Sequence, residues 1–330
     1  MSLFAQHSDL PPSLQHWFDA KGWQLHDHQA AMINHGLQGQ SCLLVAPTGT
    51  GKTLAGFLPS LIALDRIPSE GLHTIYISPL KALAVDIERN LTAPLAEMNP
   101  DIRAETRTGD TPQAKRQRQR ERPPHILMTT PESLELMLTW SDAAAFFGQV
   151  QCVILDEIHA LVGQKRGDLL ALSLSRLRRL APGARMVGLS ATIANPHALK
   201  VWLDPDPQKV AVIRAKTTRK PDVDVLMKSG DLPWAGHSAA YAVEDIYAHI
   251  KTHDTTLVFV NTRAQAEILF QSLWRLNDDN LSIGLHHGSL SAEQRRRVEA
   301  HMAKGQLRAV VATSSLDLGI DWGNVDLVIQ

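Results

Sequence analysis

The chain has 330 residues, 44% of them hydrophobic and 20% charged, an ordinary globular composition with length enough for two domains. Lys and Arg number 33 against 34 for Asp and Glu, a formal net charge of -1, so a nucleic-acid partner must be argued from a local basic surface and not from overall charge. Only Cys42 and Cys152 are available as thiols, each inside an apolar run, which excludes a disulfide scaffold or multi-cysteine metal site and fits a reducing cytoplasm.

No apolar stretch reaches about 18 residues, and the start lacks a basic segment followed by an apolar block; neither a membrane span nor a secretory signal is expected. Residues 1–40 read as a helical lead-in. Leu14, Trp17 and Phe18 share one helical face after Pro11 and Pro12, and a second helix after Gly22 includes Gln29. From residue 41 short branched apolar runs alternate with longer helical stretches, giving strands at 41–46, 74–78, 125–129, 150–155 and 185–190. Runs of that length, apolar on both faces, suit buried parallel strands covered by helices on both sides. A first domain is expected over 41–215, a connector over 216–236, and a second domain over 237–330. The second has strands at 255–260, 281–285, 309–313 and 325–329 and helices at 263–274 and 292–302. It is short for a doubly wound domain and is expected to be truncated at its C-terminal end.

Ala46-Pro-Thr-Gly-Thr-Gly-Lys-Thr53 follows the first strand and precedes a helix. It matches the Gly-rich phosphate loop except for Ala46 in place of the first glycine. Thr48, Gly49, Thr50 and Gly51 offer backbone N–H groups that curl around an anion at the positive end of a helix. Lys52 reaches the β and γ phosphates and Thr53 offers a hydroxyl to Mg²⁺. Val153-Ile-Leu-Asp-Glu-Ile-His159 is an apolar strand ending in two carboxylates. Asp156 is placed to hold Mg²⁺, and Glu157 to orient or deprotonate an attacking water. His159 is either a turn residue or a link between the nucleotide site and the second domain. ATP and Mg²⁺ are the expected cofactors.

With these two segments in hand the chain resembles the superfamily 2 DExH-box helicases, and further segments fit that family in order. The resemblance implies a RecA-like P-loop NTPase domain with a parallel sheet (fold class α/β), followed by a second RecA-like domain. It implies an adenine-reading role for Gln29 and strand-gripping roles for Ser78, Pro79, Lys81, Thr108, Gly109, Thr129, Thr130 and Pro131. Ser190, Ala191 and Thr192 resemble the motif that couples hydrolysis to domain movement. In the second domain Asn261, Thr262, Arg263, Gly288, Ser289 and Thr313 would meet nucleic acid, and Gly319 and Asp321 would meet nucleotide. Ser-Pro-Leu-Lys-Ala-Leu and Asp-Glu-Ile-His are closest to the large helicase-related (Lhr) group, including its bacterial ligase-associated branch. That group implies an ATP-driven motor moving 3′ to 5′ on single-stranded DNA, or on a duplex with a single-stranded tail, with DNA-repair proteins as partners. The family's Gln-x-x-Gly-Arg-x-Gly segment is missing after Gln330. Its arginines contribute about 10³ to 10⁵ in rate, so this chain is expected to bind nucleotide but hydrolyse it poorly.

Lys115-Arg-Gln-Arg-Gln-Arg-Glu-Arg122 reads as a solvated helical face or a flank that steers nucleic acid. Arg176, Arg178 and Arg179 mark the solvent edge of a helix over 170–180. Trp140, Trp234 and Trp322 read as packing residues before base-stacking ones, since aromatics are only 5% of the chain. The 15 histidines show no metal spacing on one helix, so no transition metal is expected; adjacent His286 and His287 should point to opposite sides. A DNA helicase is the first functional reading, with an RNA helicase, an ATP-gated clamp and a metabolic ATPase as competitors.

Overall fold

In the computed structural model residues 10–67, 70–192, 195–216, 222–225, 242–313 and 325–330 are described. The chain divides into a unit Met1–Arg219 and a unit Lys220–Gln330.

The first unit has strands β1 Cys42–Val45, β2 Thr74–Ile77, β3 Ala104–Arg107, β4 Ile126–Thr129, β5 Cys152–Leu155, β6 Arg185–Ser190 and β7 Ala211–Arg214. Its helices are α1 Pro12–Lys21, α2 Asp27–Leu37, α3 Lys52–Arg66, α4 Lys81–Met98, α5 Gln113–Glu121, α6 Pro131–Leu138, α7 Ala143–Phe147, α8 Lys165–Leu180 and α9 Pro196–Leu203. The strands lie in the order β3-β4-β2-β5-β6-β1-β7, and every pairing is parallel.

Alternation along each strand sends successive side chains to opposite faces. Leu43, Ile75, Ile77, Leu127, Val153 and Leu155 pack with Leu134 and Met137 of α6 and Leu170, Leu174 and Leu177 of α8. Leu44, Tyr76, Met128, Ile154 and Leu189 pack with Phe57 and Leu61 of α3. This explains why the five strands read from sequence are apolar throughout. β3 and β7 were not read. β3 (Ala-Glu-Thr-Arg) and β7 (Ala-Val-Ile-Arg) are the sheet edges and half-exposed, so polar residues break the pattern that marks the central strands. Leu14, Trp17 and Phe18 of α1 pack on Ile33 of α2 and on Leu58 and Ile62 of α3, which joins the lead-in to the core of this unit.

The second unit has β8 Thr256–Phe259, β9 Ile283–His286, β10 Ala309–Ala312 and β11 Leu327–Ile329, with α10 Val243–Thr252, α11 Arg263–Arg275 and α12 Ala292–Ala303. The order is β11-β8-β10-β9, again all parallel. α10, absent from the sequence reading, buries Ile246, Tyr247 and Ile250 against Val258, Leu269 and Leu273. Thr262 and Ser291 start α11 and α12 with capping boxes closed by Gln265 and Gln294. Among the described residues no helix is long and apolar enough to cross a membrane.

Candidate nucleotide and nucleic-acid site

Parallel strands present all their carboxyl ends at one edge of the sheet, where ligands of open α/β sheets bind. In the first unit that edge has two halves. β5, β6 and β1 end in Asp156-Glu157, Ser190 and the phosphate loop; β3, β4 and β2 end in Thr108, Thr130 and Ser78.

The phosphate loop turns through Gly49 and Gly51, with φ of 79° and 74°, a region that side chains with a Cβ rarely enter. Thr50 Oγ1 donates to Pro47 O at 2.7 Å, while Thr48, Gly49 and Gly51 stay exposed. Gln29 is buried, and its Oε1 accepts the His26 N–H at 3.0 Å to cap α2. A Cβ on Gly51 would stand 2.7 Å from Gln29 Nε2, so the glutamine lies against the loop. His28 reaches the same loop, with Nε2 3.0 Å from Thr50 O.

Lys52 opens α3 and is only 6% exposed. Its Nζ donates to Glu157 Oε1 at 2.5 Å. Glu157 has a φ of 44°, a left-handed conformation that costs a non-glycine residue about 1–3 kcal/mol and that sets its carboxylate beside Lys52. Asp156 is 2% exposed. Its Oδ1 accepts the Glu157 N–H at 2.9 Å, and its Oδ2 accepts the Tyr76 hydroxyl. Burial raises the Asp156 carboxyl to about 6, against the pull of Lys52 and the Tyr76 hydrogen bond. Burial and the carboxylate hold the Tyr76 phenol well above its ordinary range, so it stays protonated and donates. The Thr53 hydroxyl and the Asp156 carboxylate are hard oxygen donors that suit Mg²⁺, which keeps most of its shell for waters and phosphates.

His159 Nδ1 is 2.9 Å from Ser190 Oγ and 3.4 Å from Glu157 Oε2. Ser190 gives its single proton to Thr192 O at 2.6 Å, so His159 Nδ1 is the donor toward Ser190. Ser190, Thr192 and Glu157 are thereby tied together, with Ala191 between the first two half-buried.

The other half of the edge is built from loops. Ser78 is buried, takes the Leu80 N–H on Oγ at 3.3 Å, and is followed by buried Pro79. Lys81 pairs with Asp110 at 2.9 Å, both largely exposed. Thr108 is buried, its N–H donates to Thr111 Oγ1 at 2.9 Å, and Gly109 beside it is exposed. Thr129 Oγ1 donates to Arg107 O at 2.8 Å, Thr130 Oγ1 to Ser133 Oγ at 3.2 Å, and Pro131 starts α6. Arg116 of α5 donates from Nη2 to Thr108 O and Gly109 O, at 3.2 and 2.6 Å.

The remaining basic residues of α5 are spent within the unit: Lys115 on Glu88, Arg118 on Glu105 and Arg120 on Asp142. The guanidinium carbons of Arg107 and Arg120 lie 4.6 and 4.9 Å from the Trp140 ring centroid, and Phe146 meets that ring edge-on, which makes Trp140 a packing residue. Arg176 is exposed on α8 and paired with Glu135, while half-buried Arg178 donates to Leu203 O.

In the second unit Asn261, Thr262 and Arg263 follow β8 and are exposed. Arg263 Nη1 donates to Ser289 Oγ at 2.6 Å. His286 and His287 are buried on opposite sides, their Nε2 atoms 3.0 Å from Glu299 on α12 and 2.8 Å from Glu267 on α11. The Ser289 N–H donates to His287 Nδ1 at 3.2 Å, holding the turn through exposed Gly288. Thr313 N–H donates to His286 O at 3.2 Å. Gly319, Asp321, Trp234 and Trp322 lie outside the described residues.

Residues 26–199 match the family model of the DEAD/DEAH box helicases, and residues 239–330 match that of the helicase conserved C-terminal domain. The chain belongs to the DEAD/DEAH box helicase family. It is 36% identical over 345 residues to the ATP-dependent helicase Lhr-Core protein 2 of Thermococcus barophilus, covering 97% of this chain and 40% of that one. Among solved structures it is similar to the Mycobacterium smegmatis helicase Lhr bound to ssDNA and AMP-PNP, with 38% identity and a TM-score of 0.82 over 97% of this chain and 43% of that one. It is similar also to the DUF1998 helicase MrfA bound to DNA, with 25% identity and a TM-score of 0.80 over 97% of this chain and 46% of that one. Both units are thus RecA-like, and the chain spans less than half the length of these relatives.

Within this helicase fold the sequence reading missed four side chains that support the site. Tyr76 sits in an apolar strand and reads as core. Arg116 sits in a run of charges whose members look alike. His28 and Glu267 carry no motif, and only the folded chain brings them to Thr50 and His287.

Proposed function

We propose that this chain is the motor core of an ATP-dependent DNA translocase in which Mg²⁺-ATP hydrolysis drives movement on single-stranded DNA, 3′ to 5′, and duplex unwinding. The observation that carries the reading is the division of one sheet edge into a phosphate-and-carboxylate half at the ends of β5, β6 and β1 and a half at the ends of β3, β4 and β2 that presents exposed Gly109 and Lys81, the two halves meeting where β2 pairs with β5. Lys52 and the loop N–H groups hold the phosphates, and Glu157 moves from Lys52 to the attacking water. Thr53 and Asp156 would hold Mg²⁺, which when bound would supply positive charge to the phosphates. His159 and Ser190 pass the state of Glu157 on to the segment after β6. Gln29 reads adenine.

Lys81 and the N–H groups near Gly109 and Thr130 in the first unit take strand phosphates, as do the Asn261, Arg263, Ser289 and Thr313 loops in the second, which gives sequence-independent affinity. Lys81 exchanges Asp110 for phosphate as it does so. DNA is favoured over RNA because the solved relatives Lhr and MrfA, at 38% and 25% identity, carry DNA. The two cysteines are buried thiols, which fits a reducing cytoplasm, and a DNA-repair setting follows the Lhr likeness.

The test is phosphate release, by a protein in which this chain is followed by the Gln-x-x-Gly-Arg-x-Gly segment of its family, with no polynucleotide, with single-stranded DNA and with single-stranded RNA. Strong stimulation by DNA alone is expected. Equal stimulation by RNA reassigns the substrate, and no stimulation by either leaves a clamp or a simple ATPase. Chelating Mg²⁺ is expected to abolish release in every arm.

Arg116→Gln is expected to weaken binding of a labelled single strand about 5- to 10-fold, the value of a hydrogen bond or two at the Thr108–Gly109 turn, with ATP affinity unchanged. Unaltered anisotropy titrations with the labelled strand would remove Arg116 from the nucleic-acid site.

A further inference from the structure

The first unit carries a cavity at the opposite end of its strands. It measures about 780 Å³ and is lined by Gly36, Pro59, His73, Gln149, Gln151 and Arg185 among others. His73 and Gln151 directly precede β2 and β5, and Arg185 opens β6, so the cavity belongs to the amino ends of the strands. Along β6 the five steps from Arg185 to Ser190 span about 17 Å, and nothing described above for nucleotide or nucleic acid uses this end.

Among the described residues Arg185 is a buried cation with no counter-ion. It is 7% exposed, its Nη2 donates to Ser60 Oγ at 3.3 Å, and its Nη1 is buried with no acceptor. Among the described residues no carboxylate pairs with it, although exposed Glu70 stands on the cavity lining. Arginine keeps its charge under all ordinary conditions, and a buried charge left unpaired is costly unless something completes it. Space for the guanidinium is kept by Gly36, where a Cβ would meet Pro59 at 2.6 Å and Arg185 Cζ at 3.4 Å. Burial first, and then the Arg185 charge, lower His73 to about 4, so at neutral pH its ring is uncharged, with Nδ1 2.8 Å from Thr74 Oγ1. The cavity combines one fixed positive fork, a neutral imidazole and the amides of Gln149 and Gln151, a set rich in donors.

We propose that this cavity is an oxyanion-binding site in which Arg185 takes a phosphate or carboxylate group, separate from the nucleotide site. A planar guanidinium matches either group with two parallel hydrogen bonds. The proposal stands independently of the DNA-motor reading.

The experiment fills the nucleotide site with ADP and Mg²⁺ and then titrates inorganic phosphate and succinate separately, following the His73 ring resonances by NMR. A saturable shift is expected, with His73 titrating at higher pH in the bound state because the anion offsets the Arg185 charge. Arg185→Gln is expected to weaken binding at least tenfold, and Arg185→Lys, which keeps the charge without the fork, to fall between. A response to one anion alone identifies the group the site takes. Absence of saturation with both overturns the proposal, as does a shift that survives unchanged in Arg185→Gln. ADP affinity equal to that of the parent chain shows that a variant is folded; if Arg185→Gln fails that check, Arg185→Lys decides, and parent-like anion affinity in it overturns the bidentate site.

Discussion

Lys52→Ala is expected to abolish productive ATP binding, whereas Glu157→Gln is expected to retain binding and lose turnover by about 10² to 10⁴, the range for removing a positioned general base. The two side chains form a buried pair at 2.5 Å, with 6% and 5% of their side chains exposed, so without nucleotide each neutralises the other. Lys52→Ala removes the cation proposed for the β and γ phosphates and leaves Glu157 a buried carboxylate without its lysine, which is expected to lower the stability of the nucleotide-free unit by about 3–5 kcal/mol. Glu157→Gln keeps the shape, keeps an amide oxygen to accept from Lys52, and leaves Asp156 in place. It also weakens the hold on Lys52 that ATP must displace, so nucleotide affinity should equal or exceed that of the parent. Displacement of a fluorescent nucleotide, with phosphate release at saturating single-stranded DNA, separates the two variants. An equal loss of affinity in both would refute the division of roles.

Tyr76→Phe is expected to cost about 2 kcal/mol, because one oxygen of a buried carboxylate is left without its donor. Tyr76 is fully buried and stacks on Phe57 at 5.3 Å, so the phenylalanine ring fits the same space and the effect isolates the hydroxyl. The change also has a pH signature. The folded Asp156 carboxyl sits at about 6, above its unfolded value of about 3.9. Below the unfolded value both states carry the proton, and above the folded value neither does. Between about 4 and 6 the folded state holds a proton that unfolding releases, so this group's contribution to stability falls as pH rises through that window. Loss of the phenol donor moves the upper edge of the window upward. Denaturant midpoints at about pH 5 and about pH 8 should therefore show a larger deficit for Tyr76→Phe at the higher pH; coincident midpoints would mean that the hydroxyl contributes nothing.

The parts of the site that were legible in the sequence are those whose chemistry restricts residue type. A loop shaped to wrap an anion needs glycines at positive φ, as at Gly49 and Gly51, and a strand that ends in paired carboxylates breaks an apolar run abruptly, as at Asp156 and Glu157. Supporting residues carry no such restriction. Tyr76 in Thr-Ile-Tyr-Ile looks like any core aromatic, and Arg116 cannot be told from Arg118 or Arg120 until the structure shows that one serves the Thr108–Gly109 turn while the others meet carboxylates. The edge strands were missed for a related reason: half-exposed strands tolerate polar residues, and the apolar run disappears.

From sequence alone come the alternation of strands and helices, the five central strands, and the assignment of phosphate and carboxylate chemistry to strand ends, since burial on both faces and phosphate binding each leave a local mark. The tertiary structure decided which strand ends become neighbours. Lys52 meets Glu157 across 105 positions, and β1 stands beside β6 while β5 stands between β2 and β6. Parallel strands joined by crossover helices can be ordered in many ways with the same local periodicity. The packing of those helices on the two faces of the sheet selects one order, and through it the residues that share a site.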